Sequence, residues 1–361
     1  MVVRSRIPLL AAVAVAAALL LASGCRYKYA KLDKIDANAS RANAAVLQQM
    51  ALQEYLDHRR RINRLAWPLL EANAPLCRSR THRLGLWATS VEELPFARRG
   101  AFTELFGRDT RYIVVDVFPG SPADKAGIKP GDILLEINGD KVRTGFDATS
   151  LFQHLLAKHL ARGPGLEITV ERDAKPVTLQ ATAVLACGPN VYLEVDDTPN
   201  AFADGVHITM TTGLIRLLAD DDELAGVLGH ELAHNEMGHL NAKLANAQIA
   251  AGIASMPGYF FDFYNHLQIS GIAYRMALHA HSIDFEYEAD YVGLYYAARA
   301  GYDITKVPES ERKLAIESPD QITRGTTHPP SAERFLAMEA AMQEIQAKQA
   351  AGEPLVPNMK Q

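Results

Sequence analysis

The apolar positions along the chain change period several times, and each change marks a different kind of structure. Residues 7–22 are an almost unbroken apolar run behind a basic start at Arg4 and Arg6, and the run stops at Ser23 and Gly24, just before Cys25. This reads as a secretory signal over residues 1–24, since the run is short for a helix that stays in a membrane. From Ala37 to about Asn73, Val46, Met50, Leu52, Leu56, Ile62 and Leu65 recur near the helical period. Residues 25–76 are therefore assigned to a tether and a helical stalk. Arg59-Arg60-Arg61 falls on a solvated face of it, and Pro68 is expected to kink or break it.

Over residues 77–187 the period shortens to that of strands. Tyr112–Phe118, Ile133–Ile137, Leu166–Glu171 and Val177–Leu185 read as strands, and Pro119-Gly120-Ser121-Pro122 and Pro130-Gly131-Asp132 as turns. Asn138-Gly139 closes a hairpin. Ser121–Ala126 predicts a short helix that Gly127 stops, and Phe146–Leu160 an amphipathic one. Residues 188–346 return to helical patterning. Asp220–Met237 predicts one helix, with Asp220 and Glu223 as a capping pair and Gly238 as the stop. Ala247–Leu278 is apolar and aromatic but broken at Pro257-Gly258, which suits core packing better than a span. Residues 347–361 read as a flexible polar tail. The fold class is α+β and multidomain, a β-rich unit followed by a mainly α-helical one.

Composition narrows the picture only a little. The chain has 361 residues, 48% hydrophobic and 22% charged, with a net charge of -5 and no long basic stretch. Those values suit a globular protein of more than one domain and give no sign of a nucleic-acid partner. Of the cysteines, Cys77 and Cys187 bracket the β-rich unit. In an exported protein whose Cys25 is otherwise engaged they are expected to form a disulfide, the alternative being two buried free thiols.

The chemistry gathers in His230-Glu231-Leu232-Ala233-His234. Residues at i and i+4 stack on one face of a helix, so two imidazoles there can grip one Zn²⁺ while Glu231 reaches a water beside it. Zinc takes neutral imidazole and carboxylate ligands and leaves a position for water. Where a metzincin would carry its next Gly and His, Met237 and Leu240 stand, which excludes that subclass. Extrapolated along the helix, His239 falls off the ligand face and reads as a surface or packing residue. Glu286 and Asp290 lie one turn apart in a later helical segment, so one can bind zinc while the other hydrogen-bonds a ligating His. Glu288, between them, reads as a solvated charge.

Gly120-Ser121-Pro122-Ala123-Asp124-Lys125-Ala126-Gly127-Ile128-Lys129-Pro130-Gly131-Asp132 and the Ile133–Gly139 stretch after it resemble a PDZ domain. That resemblance makes Leu84-Gly85-Leu86-Trp87 the loop that holds a peptide C-terminus, through backbone N–H groups and an open strand edge. A groove that is filled or blocked is the alternative.

Leu21-Ala22-Ser23-Gly24-Cys25 resembles a bacterial lipobox. This implies a lipid on Cys25, membrane attachment through it, and a periplasmic body. Arg26, rather than Asp, points to the outer membrane of a Gram-negative cell.

Residues 188–346 resemble the HtpX-like, Oma-like and CAAX-prenyl-protease-like zinc metallopeptidases, the group with the periplasmic BepA-type enzymes. The likeness rests on Asn200-Ala201-Phe202, Thr211-Thr212-Gly213-Leu214, the His230–His234 motif, Glu286–Asp290, and Thr327-His328-Pro329-Pro330 with Arg334 behind it. It implies a gluzincin-type site with one Zn²⁺ on His230, His234 and Glu286, Glu231 as base, and Asp290 orienting a ligand. His328 then sits near the cleft as a catalytic group, or is a structural residue of a Pro-rich turn. Relatives often carry Ser-Arg before the third ligand, where Ser282 is here followed by Ile283. The expected activity is endoproteolysis of envelope proteins in quality control. The rivals are a non-proteolytic chaperone or assembly factor, and a PDZ adaptor with a latent protease domain.

Overall fold

The computed structural model describes residues 36–107, 111–245, 282–317 and 332–359. The signal segment, Cys25, the 247–278 stretch and His328 lie outside the described residues. The chain divides into two compact units, residues 1–47 and 48–361. No helix among the described residues is long and apolar enough to cross a membrane.

Helix α1 (Ala37–Ala72) carries the stalk pattern, but only its later part is core. Leu52, Leu56, Ile62 and Leu65 are buried, whereas Val46 and Met50 are 53% and 63% exposed. Of the two outcomes expected at Pro68, a kink or a break, the break does not occur, and α1 runs through it. Trp67, Leu69 and Leu70 around it are buried, and that packing outweighs the roughly 3 kcal/mol that an interior proline costs.

The β-rich unit is a sheet of strands β2 (Leu86–Thr89), β3 (Ile113–Val117), β4 (Ile133–Ile137), β6 (Gly165–Arg172) and β7 (Lys175–Thr182), in the order β2-β3-β4-β6-β7. All neighbours are antiparallel, and β5 (Asp140–Lys141) pairs with β4. The β4–β5 turn has positive φ at Asn138 (48°) and Gly139 (81°), the pair of values a type I′ hairpin needs. Helix α2 (Phe96–Phe106) packs Phe102 against Leu52 and Leu56 of α1, and the short α3 (Pro122–Lys125) is capped by the Ser121 hydroxyl. Helix α4 (Ala148–Leu160) lays Phe152 and Leu156 over Leu134, Ile137, Ile168 and Val170.

At the base of this unit the chain is closed twice. Strand β1 (Arg80–Arg83) pairs with β8 (Val184–Cys187), and Cys77 is bonded to Cys187 with Cα atoms 5.5 Å apart. Beyond it, β9 (Asn190–Glu194), β10 (Ala201–Ala203) and β11 (His207–Thr211) form a small sheet in the order β10-β11-β9.

The remaining elements are helices: α5 (Thr212–Leu217), α6 (Asp221–Met237), α7 (Ser282–Arg299), α8 (Val307–Glu317) and α9 (Ala332–Ala351). One apolar core joins Ile62, Leu65 and Leu69 of α1 to Leu224, Leu228 and Leu232 of α6 and to Val292 and Tyr296 of α7. Helices α6 and α7 cross backbone to backbone at Gly229 and Gly293, where a Cβ on either would fall 2.7 Å from a backbone atom of the other helix. The C-terminal stretch is not the loose tail its polarity suggests. Helix α9 runs to Ala351, the Leu355 carbonyl accepts from Arg299, and the Asn358 amide donates to the Tyr291 hydroxyl at 2.9 Å.

Candidate metal centre

Helix α6 begins where Asp220 accepts the backbone N–H groups of Asp222 and Glu223, and ends at Gly238, whose φ of 73° is left-handed. Glu223 does not complete the cap. Its carboxylate instead accepts from Lys313 Nζ at 2.7 and 2.8 Å.

His230 and His234 stand one turn apart on α6, with Nε2 atoms 3.0 Å from each other. Glu286 of α7 faces both, its Oε2 at 3.2 Å from His230 Nε2 and its Oε1 at 3.5 Å from His234 Nε2. All three residues are buried. A zinc ion with ligand bonds of about 2.0–2.1 Å in a tetrahedron holds its ligand atoms about 3.3 Å apart. The three observed separations bracket that value, so this donor set fits a divalent cation of zinc's size.

Which nitrogens face the centre follows from the other side of each ring. His230 Nδ1 donates to Asp290 Oδ1 at 2.9 Å, leaving the Nε2 lone pair turned inward. Arg334 holds Asp290 from behind, its Nε and Nη2 each donating at 2.8 Å to one carboxylate oxygen. Burial alone would raise the Asp290 pKa, but Arg334 and His230 outweigh it and keep the group ionised. Burial likewise disfavours charge on His230, yet the Asp290 and Glu286 carboxylates outweigh it and raise its pKa well above the usual imidazole value. The surroundings of His230 thus favour positive charge at its ring, whether a proton or a metal supplies it.

His234 is oriented by a second relay. Its Nδ1 lies 2.8 Å from His239 Nδ1, and His239 Nε2 lies 2.9 Å from Glu288 Oε2. With Glu288 accepting the Nε2 proton, His239 Nδ1 accepts from His234, and the His234 Nε2 lone pair also turns inward. Burial lowers the His239 pKa against the pull of Glu288, consistent with a neutral ring. Phe285 stacks on that ring at 4.6 Å between centroids.

These contacts correct two expectations. His239 is buried, with 2% exposure, which fits the packing alternative and not the surface one, and it adds a contact to His234 that neither foresaw. The helical phase used to place it does not hold beyond Gly238, where the left-handed cap turns the chain. Glu288 is not a merely solvated charge, because His239 comes from another element to meet it. Glu231 is 2% exposed and adjoins the ligands on α6. In the β-rich unit, Leu84, Gly85, Leu86 and Trp87 line a cavity of about 420 Å³. Arg59 and Asn63 of α1 line it too, which the sequence reading missed.

Comparison with known proteins finds two family matches along the chain. Residues 164–342 match the model of Peptidase family M48, and residues 113–154 match that of a PDZ domain. The chain is 30% identical over 157 residues to the mitochondrial metalloendopeptidase OMA1 of Schizosaccharomyces pombe, covering 42% of this chain and 46% of that one. It is 28% identical over 193 residues to a protease HtpX homolog of Gemmatimonas aurantiaca, covering 42% of this chain and 69% of that one. It thus spans less than half the length of the first of these relatives. Among solved structures, the HtrA3 PDZ domain bound to a phage-derived ligand matches with a TM-score of 0.23 and 18% identity, over 30% of this chain and 91% of that one. The chain therefore carries a Peptidase family M48 domain and a PDZ domain.

Proposed function

We propose that the chain is a zinc-dependent metalloendopeptidase, exported and lipid-anchored through Cys25 at the outer membrane, that hydrolyses internal peptide bonds of envelope proteins in quality control. The observation that carries the reading is the triangle of His230, His234 and Glu286, each His oriented by its own relay, with Glu231 beside it. The metalloendopeptidase and protease named among the relatives support the reaction class. The Cys77–Cys187 bond supports an oxidising compartment.

His230 and His234 offer neutral nitrogens and Glu286 a carboxylate, the set that would hold zinc with a position left for water and substrate. Zinc, when bound, supplies Lewis acidity at the scissile carbonyl and makes a water acidic enough to lose its proton near neutral pH. Glu231 takes that proton and later passes it to the leaving amine. Asp290 and Arg334 fix the His230 ring, and His239 and Glu288 fix that of His234, so the ligands need little rearrangement during a turnover.

Casein cleavage by the purified chain tests this, with and without a chelator and against Glu231→Gln. Wild type is expected to cleave, and the chelator to stop it. Glu231→Gln is expected to retain zinc while losing activity by roughly 10²–10⁴-fold, the usual contribution of a general base. Chelator-resistant cleavage, or full activity in Glu231→Gln, rules the assignment out.

A further inference from the structure

Among the described residues, a cation stands near each oxygen of the buried Glu286 carboxylate. Arg334 Nη2 lies 3.9 Å from Oε2, and Lys243 Nζ lies 3.9 Å from Oε1. The two cations are not equivalent. Arg334 is committed to Asp290 through Nε and Nη2, and its side chain is 2% exposed. Lys243 donates no hydrogen bond among the described residues, since 3.9 Å is beyond hydrogen-bond reach.

Lys243 reaches the centre because of the turn at Gly238. Residues 239–245 are helical again beyond it. His239 and Lys243 stand one turn apart there and share a face. His239 meets His234, and Lys243 faces Glu286, so one short stretch serves ligands on both α6 and α7.

Exposure orders these groups from the inside outward. The side chains of Glu286, Asp290, His234 and His230 are 0%, 4%, 8% and 10% exposed, and that of Lys243 is 18%. Of the two cations beside Glu286, Lys243 is therefore the one that solvent, and hence a substrate, can reach. It brings three N–H donors to a site poor in water.

Peptide hydrolysis passes through a negatively charged oxygen. Glu231 takes a proton from the attacking water as the water oxygen bonds to the carbonyl carbon, and the C=O π pair moves onto the carbonyl oxygen. When that pair returns, the C–N bond breaks and the amine nitrogen takes the proton from Glu231. A donor already held beside that oxygen stabilises the charged stage without reorganising.

We propose that Lys243 is a catalytic residue of this reaction, its ammonium donating a hydrogen bond to the scissile carbonyl oxygen as that oxygen gains charge. The proposal rests on the metalloendopeptidase reading and adds a group to it.

Lys243→Met is compared with wild type for zinc content and for hydrolysis of fluorescein-labelled casein. Binding is measured in the Glu231→Gln chain, with and without Lys243→Met. The probes are two fluorescent hexapeptide pools of matched sequence, one with its amides intact and one with a phosphinate in place of the central amide, a mimic of the charged tetrahedral stage. Lys243→Met is expected to keep its zinc and its KM for casein and to lose about 10²–10³-fold in kcat, as removal of one oxyanion donor does. It should weaken binding of the phosphinate pool and leave the amide pool unchanged. Lys243→Arg keeps a cation and should recover part of both losses. Should Lys243→Met fail to fold, Lys243→Gln removes the charge while staying polar and carries the same reading. An unchanged kcat overturns the proposal. So does a fall in kcat matched by loss of zinc, which makes Lys243 only a support for Glu286, and so does equal weakening of the two pools, which makes it only a binding group. In each of those cases wild type still cleaves casein, and the peptidase reading stands. No cleavage by wild type overturns both.

Discussion

A Cβ on Gly293 would lie 2.7 Å from the backbone nitrogen of His230, so nothing larger than hydrogen fits where α7 crosses α6. The contact sets the distance between the two helices that carry the candidate ligands His230, His234 and Glu286. Gly293→Ala must push the helices apart, because the obstacle is backbone and cannot rotate away. We expect a loss of about 1–3 kcal/mol in stability, the usual cost of overpacking, together with a fall in zinc content measured by elemental analysis. Gly100→Ala is the control, since a Cβ there meets nothing within 4 Å. Equal zinc content and equal unfolding midpoints in the two variants would show that the crossing has slack.

Glu286 and Glu288 are two residues apart, and both are tied to the centre, but by different routes. Glu286→Ala removes a ligand, and stoichiometric zinc should be lost on gel filtration. Glu288→Ala leaves the ligands and the direct partner His239 in place, so affinity should fall by less than the roughly 10–100-fold that removing the outer partner of a ligating His costs. Competition with a fluorescent chelator measures both. Identical affinities for the two variants would place the third ligand elsewhere.

Much of this centre is legible in the chain because its parts are local. His230 and His234 share a face through helical spacing alone, and so do Glu286 and Asp290. The cap residues Asp220 and Gly238 mark the limits of α6. What stays hidden depends on elements meeting across long separations. Glu288 looks solvated until the chain beyond Gly238 brings His239 to it. Arg59 sits in a basic run and reads as surface until Trp87 and Tyr192 close on it. Pro68 reads as a break, because the burial of Trp67, Leu69 and Leu70 that holds α1 together is a tertiary effect. The glycine crossing has no sequence signature, since Gly229 and Gly293 are ordinary in composition and special only in whom they touch.

The disulfide spans a sequence separation of 110 residues. Cross-linking a loop of about that length stabilises by up to about 4.7 kcal/mol in the chain-entropy model, and measured values are often smaller. Cys77→Ala with Cys187→Ala should therefore lower the unfolding midpoint by several degrees, as should reduction of the wild type. Because β1 and β8 still pair beside the removed bond, the variant is expected to fold. An unchanged midpoint under non-reducing and reducing conditions would mean that the strand pair suffices.

The proposed lipid anchor is tested at Cys25. Cys25→Ser should leave the protein soluble or unprocessed, and labelled palmitate should enter the wild type alone. Outer-membrane fractionation that survives the substitution, with normal processing, would count against lipidation.

The Cys77–Cys187 bond has one more consequence, for how the chain would respond to being cut. Every peptide bond between those two residues lies inside a covalent ring. A single cut anywhere in the PDZ unit therefore opens a loop but does not divide the molecule. The stalk helix, with Ile62, Leu65 and Leu69 in the apolar core shared with α6 and α7, would stay tethered to the half that bears His230, His234 and Glu286. Such a nicked chain would run as one species until a reductant is added, and only then fall into two.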